Sequence, residues 1–306
     1  MDEPDPQVPE ASLQRAGAQS GVAGVGTLVL IGTPLGNRGD LSPRARAALL
    51  GADLLFCEDT RSPNRLLAPL AEGEQLPPRI SCFVGNEHQR LERLREHLGR
   101  GETVAFVSEA GLPVWSDPGR ILVAAAVAAG FPVDVVPGPT AGTCALALSG
   151  FPAEGARFLG FCPRAGKDRV ALLESLVDES GAAVFYEAGN RVPALLRDLD
   201  KDMGERRIVV ARELTKLHQE VLRGTVAELH GQGRGALRGE VTLVLAGAPA
   251  RDPNQGEAVD PAVLAARAAV ELFADRSLKP RARAKALAAL TGWDARALYD
   301  KLARPS

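Results

Sequence analysis

Residues 28–37 read Leu-Val-Leu-Ile-Gly-Thr-Pro-Leu-Gly-Asn, and residues 104–113 read Val-Ala-Phe-Val-Ser-Glu-Ala-Gly-Leu-Pro. Each stretch is a short apolar run, typical of a buried strand, followed at once by a turn rich in glycine and proline. The carboxyl ends of strands in one parallel sheet meet at one crevice, where open α/β folds bind ligands. The two turns therefore predict one shared binding site.

Strand and helix signals alternate on both sides of these turns. Ser42 with Pro43 predicts a helix start, and Gly51 its end. Strands joined by helices of this kind predict right-handed βαβ units and a parallel sheet. The predicted strands are 27–31, 53–57, 103–107, 132–136, 182–186, 208–211 and 241–245. Further helices are predicted around 91–98 and from 117 to 130. An apolar helix follows residues 137–141 and runs through 148, and others are predicted over 167–179, 192–203, 259–274, 281–290 and 294–303.

The chain is long enough for two domains of ordinary size, since it has 306 residues. Its start is rich in Pro, Gly, Ala and Gln, and is acidic where a signal peptide would be basic. No apolar stretch is long enough to span a membrane, so a cytoplasmic protein is expected. The predicted division is a disordered tail over 1–26, an N-terminal α/β domain over 27–137, a second α/β domain over 138–248, a linker over 249–256 and a helical element over 257–306.

The composition is that of a globular protein, with 45% hydrophobic and 24% charged residues. The net charge is only −2, so any contact with nucleic acid must use a local basic patch. The four cysteines are far apart without a C-x-x-C pair, and the four histidines have no ligand spacing. The sequence therefore predicts no metal site.

The first turn argues against a dinucleotide ligand. Pro34 interrupts the G-x-G-x-x-G pattern and has no N–H to offer a pyrophosphate. The alternative is an ordinary tight turn between strand and helix. In the second turn, Gly111 permits close approach of a ligand to the backbone, and Glu109 is either a ligand-binding carboxylate or a solvated loop acid. Asp117 precedes Pro118 and Gly119, which predicts a helix N-cap.

Eight motifs in order resemble one known family. They are Thr-Pro-Leu-Gly-Asn at 33–37, Cys-Glu-Asp-Thr-Arg at 57–61, the run from Ser-Glu-Ala-Gly at 108 to Ser-Asp-Pro-Gly at 119, Pro-Gly-Pro-Thr-Ala at 137–141, Gly-Phe-Cys-Pro-Arg at 160–164, Phe-Tyr-Glu at 185–187, Ala-Arg-Glu-Leu-Thr-Lys at 211–216 and Leu-Arg-Gly-Thr at 222–225. Together they resemble the ribosomal RNA small-subunit methyltransferase I family of the tetrapyrrole methylase superfamily. The resemblance covers about 27–248 and continues more weakly to 303.

The resemblance implies an α/β fold of two domains, with a parallel sheet in the first and a mixed sheet in the second, and a small helical element at the C-terminus. It implies S-adenosylmethionine bound between the two domains. The implied reaction is methylation of a cytidine ribose 2′-hydroxyl in the decoding region of small-subunit (16S) rRNA. Family members are similar in acting as homodimers, so a homodimer that binds rRNA or the ribosomal subunit is expected.

The resemblance also implies site residues. The expected cofactor-binding residues are Thr33, Pro34, Gly36, Ser108, Glu109, Ala110, Gly111, Thr140, Ala141, Phe185 and Tyr186. A ribose hydroxyl is a poor nucleophile that needs alignment and a proton acceptor. The polar candidates for this work at the strand ends are Glu58, Asp59, Asp117, Glu187, Glu213 and Lys216. The candidates for RNA phosphate contacts in the two α/β domains are Arg61, Arg164, Arg191, Arg212 and Lys216.

The C-terminal helices carry a local basic signal. Five cations and no acid lie between residues 276 and 285, namely Arg276, Lys279, Arg281, Arg283 and Lys285. Such a stretch can follow a phosphate backbone, or it can be a solvated helix face. We expect this element to dock on rRNA.

Two other functions fit the sequence. One is methylation of a tetrapyrrole or another small molecule within the same superfamily, and the other is a non-catalytic RNA-binding or ribosome-assembly role. Three departures from the family pattern bear on this choice. The family usually has Asp at Glu109, Thr-Pro-Gly at 112–114 where this chain has Leu-Pro-Val, and Ser-Pro-His at 188–190 where it has Ala-Gly-Asn.

Overall fold

The computed structural model describes residues 24–61, 76–249, 269 and 278–303. Contacts divide the chain into one unit that ends at Ala248 and a second that begins at Pro249. Apart from residue 269, the predicted helix 259–274 lies outside the described residues, as do most of the predicted tail and linker and Arg276. Within the described residues, no helix is both long and apolar enough to cross a membrane.

The first sheet is wholly parallel and has the order β3-β2-β4-β1-β5. Its strands are β1 (Thr27–Ile31), β2 (Leu54–Cys57), β3 (Arg79–Ser81), β4 (Thr103–Val107) and β5 (Val133–Val136). The helices that connect them are α1 (Pro43–Leu50), α2 (Glu87–Gly99) and α3 (Arg120–Ala128). From β1 the chain runs to one side of the sheet, and from β4 it runs to the other. The carboxyl ends of these two central strands therefore form the switch point at which such folds bind ligands.

Alternate residues of the first sheet face different cores, because side chains along a strand point to opposite faces. Val29 and Ile31 pack with Leu49 of α1 on one face. Leu28 packs on the other face, in a cluster that includes Leu94 of α2 and Leu122 of α3. Helices on both faces explain why these strands read as continuous apolar runs.

The second sheet is mixed, with the order β6-β7-β10-β8-β9, and only the β6–β7 pair is parallel. The strands are β6 (Arg157–Phe161), β7 (Ala183–Ala188), β8 (Arg207–Arg212), β9 (Glu220–Thr225) and β10 (Glu240–Leu245). The helices are α4 (Ala141–Ser149), α5 (Lys167–Val177), α6 (Val192–Met203) and α7 (Val226–Gly231). Ala145 of α4 packs on one face of this sheet with Val184. Leu195 of α6 packs on the other with Phe185.

The second unit contains two described helices, α8 (Pro280–Thr291) and α9 (Ala295–Ala303). Gly292 ends α8 in the left-handed conformation, and the Asp294 side chain accepts hydrogen bonds from the N–H groups of Arg296 and Ala297 at the start of α9. The sequence prediction of helix, turn and helix is confirmed here.

The predicted cap at Asp117 is wrong. Helix α3 begins at Arg120, and its N-cap is Gly119, which has a φ of 115° and no side-chain cap. The Gly119 N–H instead donates to the Glu87 carboxylate at 2.8 Å. Because residues 114–119 form an irregular turn, Asp117 is free to face the region above the first sheet.

Candidate active site

Three turns meet above the carboxyl edge of the first sheet. The N–H groups of Thr33 and Gly111 each donate to the other residue's carbonyl, at 2.9 and 3.0 Å. The Leu112 N–H donates to the Pro139 carbonyl at 3.0 Å. The turns after β1, β4 and β5 are thus bonded to one another, and the site that they form is preorganised.

Two of these turns cross with no room for side chains. A β-carbon on Gly32 would lie 2.5 Å from the Gly138 α-carbon, and one on Gly138 would lie 2.7 Å from the Gly32 α-carbon. Both distances are far below van der Waals contact. Glycine is therefore required at both positions by the close approach of two backbones.

A cleft of about 330 Å³ opens beside these turns, within the first unit. Its volume falls within the usual range for small-molecule sites. Its lining residues near the first sheet are Leu35, Glu58, Glu109, Ala110, Gly111, Leu112, Trp115, Ser116 and Asp117. Those from the second half are Thr140, Ala141, Phe161, Tyr186, Glu187, Glu240, Val241 and Thr242.

Two carboxyl groups of the cleft have strongly altered acidity. Burial raises the pKa of Glu58 to about 7, against the lowering effect of the Glu109 N–H, which donates to Glu58 Oε1 at 3.2 Å. Burial likewise raises the pKa of Asp117 to about 6. The negative charge of Asp117 adds to the rise at Glu58. Groups that titrate near neutral pH in a cleft are candidates for proton transfer.

The Ser108 hydroxyl lies under this pair of acids. It can donate to the Ala110 carbonyl at 3.2 Å or to the Asp117 carboxylate, where a hydrogen bond lowers the pKa. A hydroxyl has one proton, so it serves one acceptor at a time. Ser108 therefore supports Asp117 from below rather than facing the cleft.

The other side of the cleft adds carboxylates from the second sheet. Glu187, at the end of β7, is only 1% exposed, and burial raises its pKa against the opposing effect of nearby arginines. Glu240 begins β10 and is exposed at the rim. The Lys216 ammonium lies 3.2 Å from Glu213 Oε1 and 3.9 Å from Glu240 Oε2. It partly balances the negative charge of the rim.

Aromatic rings form one wall of the cleft. The ring centroids of Trp115 and Phe158 are 4.8 Å apart, and those of Phe158 and Tyr186 are 4.9 Å apart. Phe161 lies edge-on to Tyr186 at 5.4 Å. The Tyr186 hydroxyl accepts a hydrogen bond from the Gly142 N–H at the start of α4. The wall offers flat apolar surface next to the acidic groups.

Of the residues expected to bind a cofactor, six line the cleft: Glu109, Ala110, Gly111, Thr140, Ala141 and Tyr186. Thr33 and Ser108 are buried beneath the turns. Pro34 is also buried, and Gly36 lies against the Lys216 side chain, outside the cleft lining. Phe185 is 1% exposed and belongs to the core, because alternation along β7 turns it away from the face of Tyr186.

The catalytic candidates separate in the same way. Glu58, Asp117 and Glu187 line the cleft. Asp59 does not, and its carboxylate forms an ion pair with Arg61 at 2.8 Å. Lys216 and Glu213 pair with each other beside the rim.

The arginine candidates are mostly engaged. Arg61 pairs with Asp59, and Arg212 pairs with Glu220 at 3.2 Å. Arg191 pairs with Glu187, and Arg164 is exposed. In the second unit, Lys279, Arg281 and Lys285 are exposed, whereas Arg283 is only 8% exposed.

Sequence reasoning missed several cleft residues. They are Leu35, Leu112, Trp115, Ser116, Phe161, Glu240, Val241 and Thr242. Backbone conformation marks Ser116 of this set, which has a φ of 66°, and the neighbouring Val114, which has a φ of 76°. Strained residues of this kind gather at functional sites.

Val114 is a test of that strain. The left-handed conformation costs a residue with a β-carbon about 1–2 kcal/mol, and glycine's extra freedom in the unfolded chain costs about 0.4–1 kcal/mol. We therefore expect Val114→Gly to raise the free energy of unfolding by about 0.5 kcal/mol. Urea denaturation would measure it. Val127→Gly, at an exposed position of α3, is the control and should destabilise the protein. A similar loss at both positions would contradict the strain argument.

Known proteins share this architecture. Residues 27–230 match the family model of the Tetrapyrrole (Corrin/Porphyrin) Methylases. Uroporphyrin-III-C-methyltransferase from Thermus thermophilus is similar in structure, with a TM-score of 0.50 and 22% identity, covering 72% of this chain and 94% of that chain. Diphthine synthase has a TM-score of 0.57 and 13% identity, covering 72% and 90%. These structures share the fold.

Relatives with higher sequence identity indicate a narrower family within these methylases. The Ribosomal RNA small subunit methyltransferase I of Thermotoga maritima is 43% identical over 225 residues, 73% of this chain and 99% of the relative. The protein of the same name from Xylella fastidiosa is 39% identical over 278 residues, covering 90% and 98%. The chain therefore belongs to the tetrapyrrole methylases and, among them, to the ribosomal RNA small subunit methyltransferase I family.

Proposed function

We propose that this protein transfers a methyl group from S-adenosylmethionine to the 2′-hydroxyl of a cytidine in the decoding region of small-subunit rRNA. The observation that carries the proposal is the cleft in which Glu58 and Asp117 titrate near neutral pH. The names of the relatives support rRNA as the substrate. We further propose that the protein acts in the cytoplasm as a homodimer.

The cleft residues fit S-adenosylmethionine. Trp115, Phe161 and Tyr186 provide a flat apolar surface suited to the adenine ring. The carboxylates of the cleft suit a ligand that carries a sulfonium, an ammonium and ribose hydroxyls. Helix α4 begins at Ala141, and the positive end of its dipole suits the ligand's carboxylate.

Proton removal from the ribose is assigned to Glu58. S-adenosylmethionine, when bound, supplies an electrophilic methyl group that passes to the ribose oxygen as its bond to sulfur breaks. Glu58 Oε1 is fixed by the Glu109 N–H at 3.2 Å, which leaves the second oxygen to accept the hydroxyl proton. A base with a pKa of about 7 is well matched to this transfer at neutral pH. Asp117 tunes that pKa through its charge.

The α8–α9 pair is proposed to dock on rRNA. Lys279, Arg281 and Lys285 present exposed cations at the start of α8. Together with Arg296 and Tyr299 of α9, Arg281 and Lys285 line a cavity of about 580 Å³. Exposed cations of this kind provide affinity for phosphates that does not depend on base sequence.

The proposal is tested by radiolabelled methyl transfer. Small ribosomal subunits that lack the modification are incubated with the protein and labelled S-adenosylmethionine, and the label is mapped by nuclease digestion. We expect label on one ribose. Label on a base, or transfer to a tetrapyrrole instead of RNA, would overturn the stated reaction. Absence of S-adenosylmethionine binding by calorimetry would favour a non-catalytic role.

A further inference from the structure

Besides the active-site cleft, the first unit contains a cavity of about 580 Å³, here termed the arginine groove. Its charged lining consists of Arg164, Arg169, Arg191, Arg197 and Asp198. Four cations against one anion give the groove a net positive charge. The groove therefore suits an anionic ligand, and its arginines divide into two kinds.

Two of the arginines are held by the protein. Arg169 donates to Asp198 Oδ2 at 2.9 and 3.1 Å, and to the Pro163 carbonyl at 3.0 Å. Arg191 donates to the Cys162 carbonyl at 3.1 Å and lies 3.1 Å from Glu187 Oε2. These two side chains fix the loop after β6, so their role is to position that loop.

The other two arginines have donors to spare. Arg164 is exposed and forms no hydrogen bond or ion pair with any residue that the structure describes. The Arg197 side chain is 63% exposed, and its Nε lies 4.0 Å from Asp198 Oδ1. A guanidinium with free N–H groups matches the oxygens of a phosphate in pairs.

Helix α5 begins at the same groove. Gly166 is its N-cap, and no side chain caps the helix there. The first N–H groups of an α-helix add positive potential at its start. They reinforce the two available arginines, although they would not form a site alone.

The groove adjoins the active-site cleft through one ion pair. Glu187 lines the cleft, and its partner Arg191 lines the groove. Phe161 of the cleft is only three residues from Arg164 of the groove. In RNA, the 2′-hydroxyl and the 3′-phosphate are on neighbouring carbons of the same ribose. A ribose in the cleft would therefore place a phosphate next to it.

We propose that the arginine groove binds the phosphodiester next to the methylated ribose, with Arg164 and Arg197 as its ligands and Arg169 and Arg191 as positioning residues. This inference rests on the proposed function, because it takes the substrate to be RNA. It adds Arg197 to the substrate contacts and separates the two kinds of arginine.

The test compares Arg164→Gln/Arg197→Gln with the control Arg93→Gln, an arginine 58% exposed on α2. Small ribosomal subunits lacking the modification serve as substrate. We expect KM for the subunit to rise roughly tenfold in the double variant, with kcat and S-adenosylmethionine affinity unchanged. The slope of log Kd against log salt should fall by about 1, because the two arginines together neutralise one phosphodiester, which carries a single negative charge.

Each outcome bears on a different proposal. A double variant that matches Arg93→Gln in KM and salt slope overturns the groove. A wild-type protein that labels no RNA overturns the proposed function. In that case filter binding of the same subunits still measures the groove, because equal affinity and slope in both variants would refute it.

Discussion

Replacing Glu58 by glutamine should lower kcat by about a hundredfold to ten-thousandfold, the usual contribution of a positioned general base. Glutamine keeps the size of the side chain and can still accept the hydrogen bond from the Glu109 N–H. It cannot take the ribose proton. Single-turnover methylation of unmodified subunits measures the loss. Affinity for S-adenosylmethionine and KM for the subunit should stay near wild type, and a loss smaller than about tenfold would remove Glu58 from the chemistry.

The pH profile separates a base from a structural residue. With a Glu58 pKa of about 7, the wild-type rate should rise about tenfold per pH unit below 7 and level off above it. The Glu58→Gln variant should lack this limb. Asp117→Asn should shift it to lower pH, because the Asp117 charge raises the pKa of Glu58. If the rising part of the pH–rate profile did not move in Asp117→Asn, the charge of Asp117 would not be raising the pKa of Glu58.

The same group affects stability in the opposite sense to activity. The folded protein holds the Glu58 proton up to about pH 7, whereas the unfolded chain releases it near 4.5. Between these values the folded state binds more protons, so the free energy of unfolding falls as pH rises. Asp117 lowers the free energy of unfolding in the same way as pH rises from 3.8 to about 6, because its pKa is raised over that range. Glu58→Gln should therefore be more stable than wild type at pH 8, where the charged carboxylate is otherwise partly buried.

Replacing Gly32 by alanine should cost about 3 kcal/mol of stability and weaken S-adenosylmethionine binding at least about tenfold. The new β-carbon would lie 2.5 Å from the Gly138 α-carbon and 2.6 Å from its nitrogen. Both are backbone atoms between two bonded turns, so they cannot move aside as a flexible side chain would. The turns must separate, and the cleft must change shape.

A matched control is Gly99→Ala. A β-carbon on Gly99 meets nothing within 4 Å, and Gly99 ends α2. Thermal unfolding and calorimetry of both variants give the comparison. We expect Gly99→Ala to bind S-adenosylmethionine as wild type does and to be at least as stable, because alanine has less freedom in the unfolded chain. If Gly32→Ala kept both its melting temperature and its affinity for S-adenosylmethionine, the two turns would not need to cross so closely.

Much of the fold could be predicted from the sequence. The bounds of β1, β4 and α6 agree with their patterns, because long apolar periodicity and clear ends coincide there. β3 was missed because it has only three residues and is stabilised by pairing with β2. β9 was missed because its residues include glutamate, arginine and glycine, and pairing with β8 outweighs their weak strand preference.

Local sequence patterns predicted one side of the cleft, whereas Tyr186 and Glu187 on the other side were expected from the family resemblance. The paired turns after β1 and β4 follow from local patterns and from the rule for parallel sheets. Glu240 gives no local signal, since it reaches the cleft only through the pairing of β10 with β7. Trp115 depends on the irregular turn at 114–119, where a simple capping pattern suggested a helix start. Long-range pairing and backbone strain are properties that one sequence read locally does not contain.

The aromatic wall also equips this protein with its own optical reporter. The chain has only two tryptophans, and Trp115 lines the cleft while Trp293 belongs to the second unit. A Trp293→Phe variant would confine indole emission to the cleft. Its intensity and wavelength could then follow occupation of the site in real time, without any label attached to the protein or its ligand.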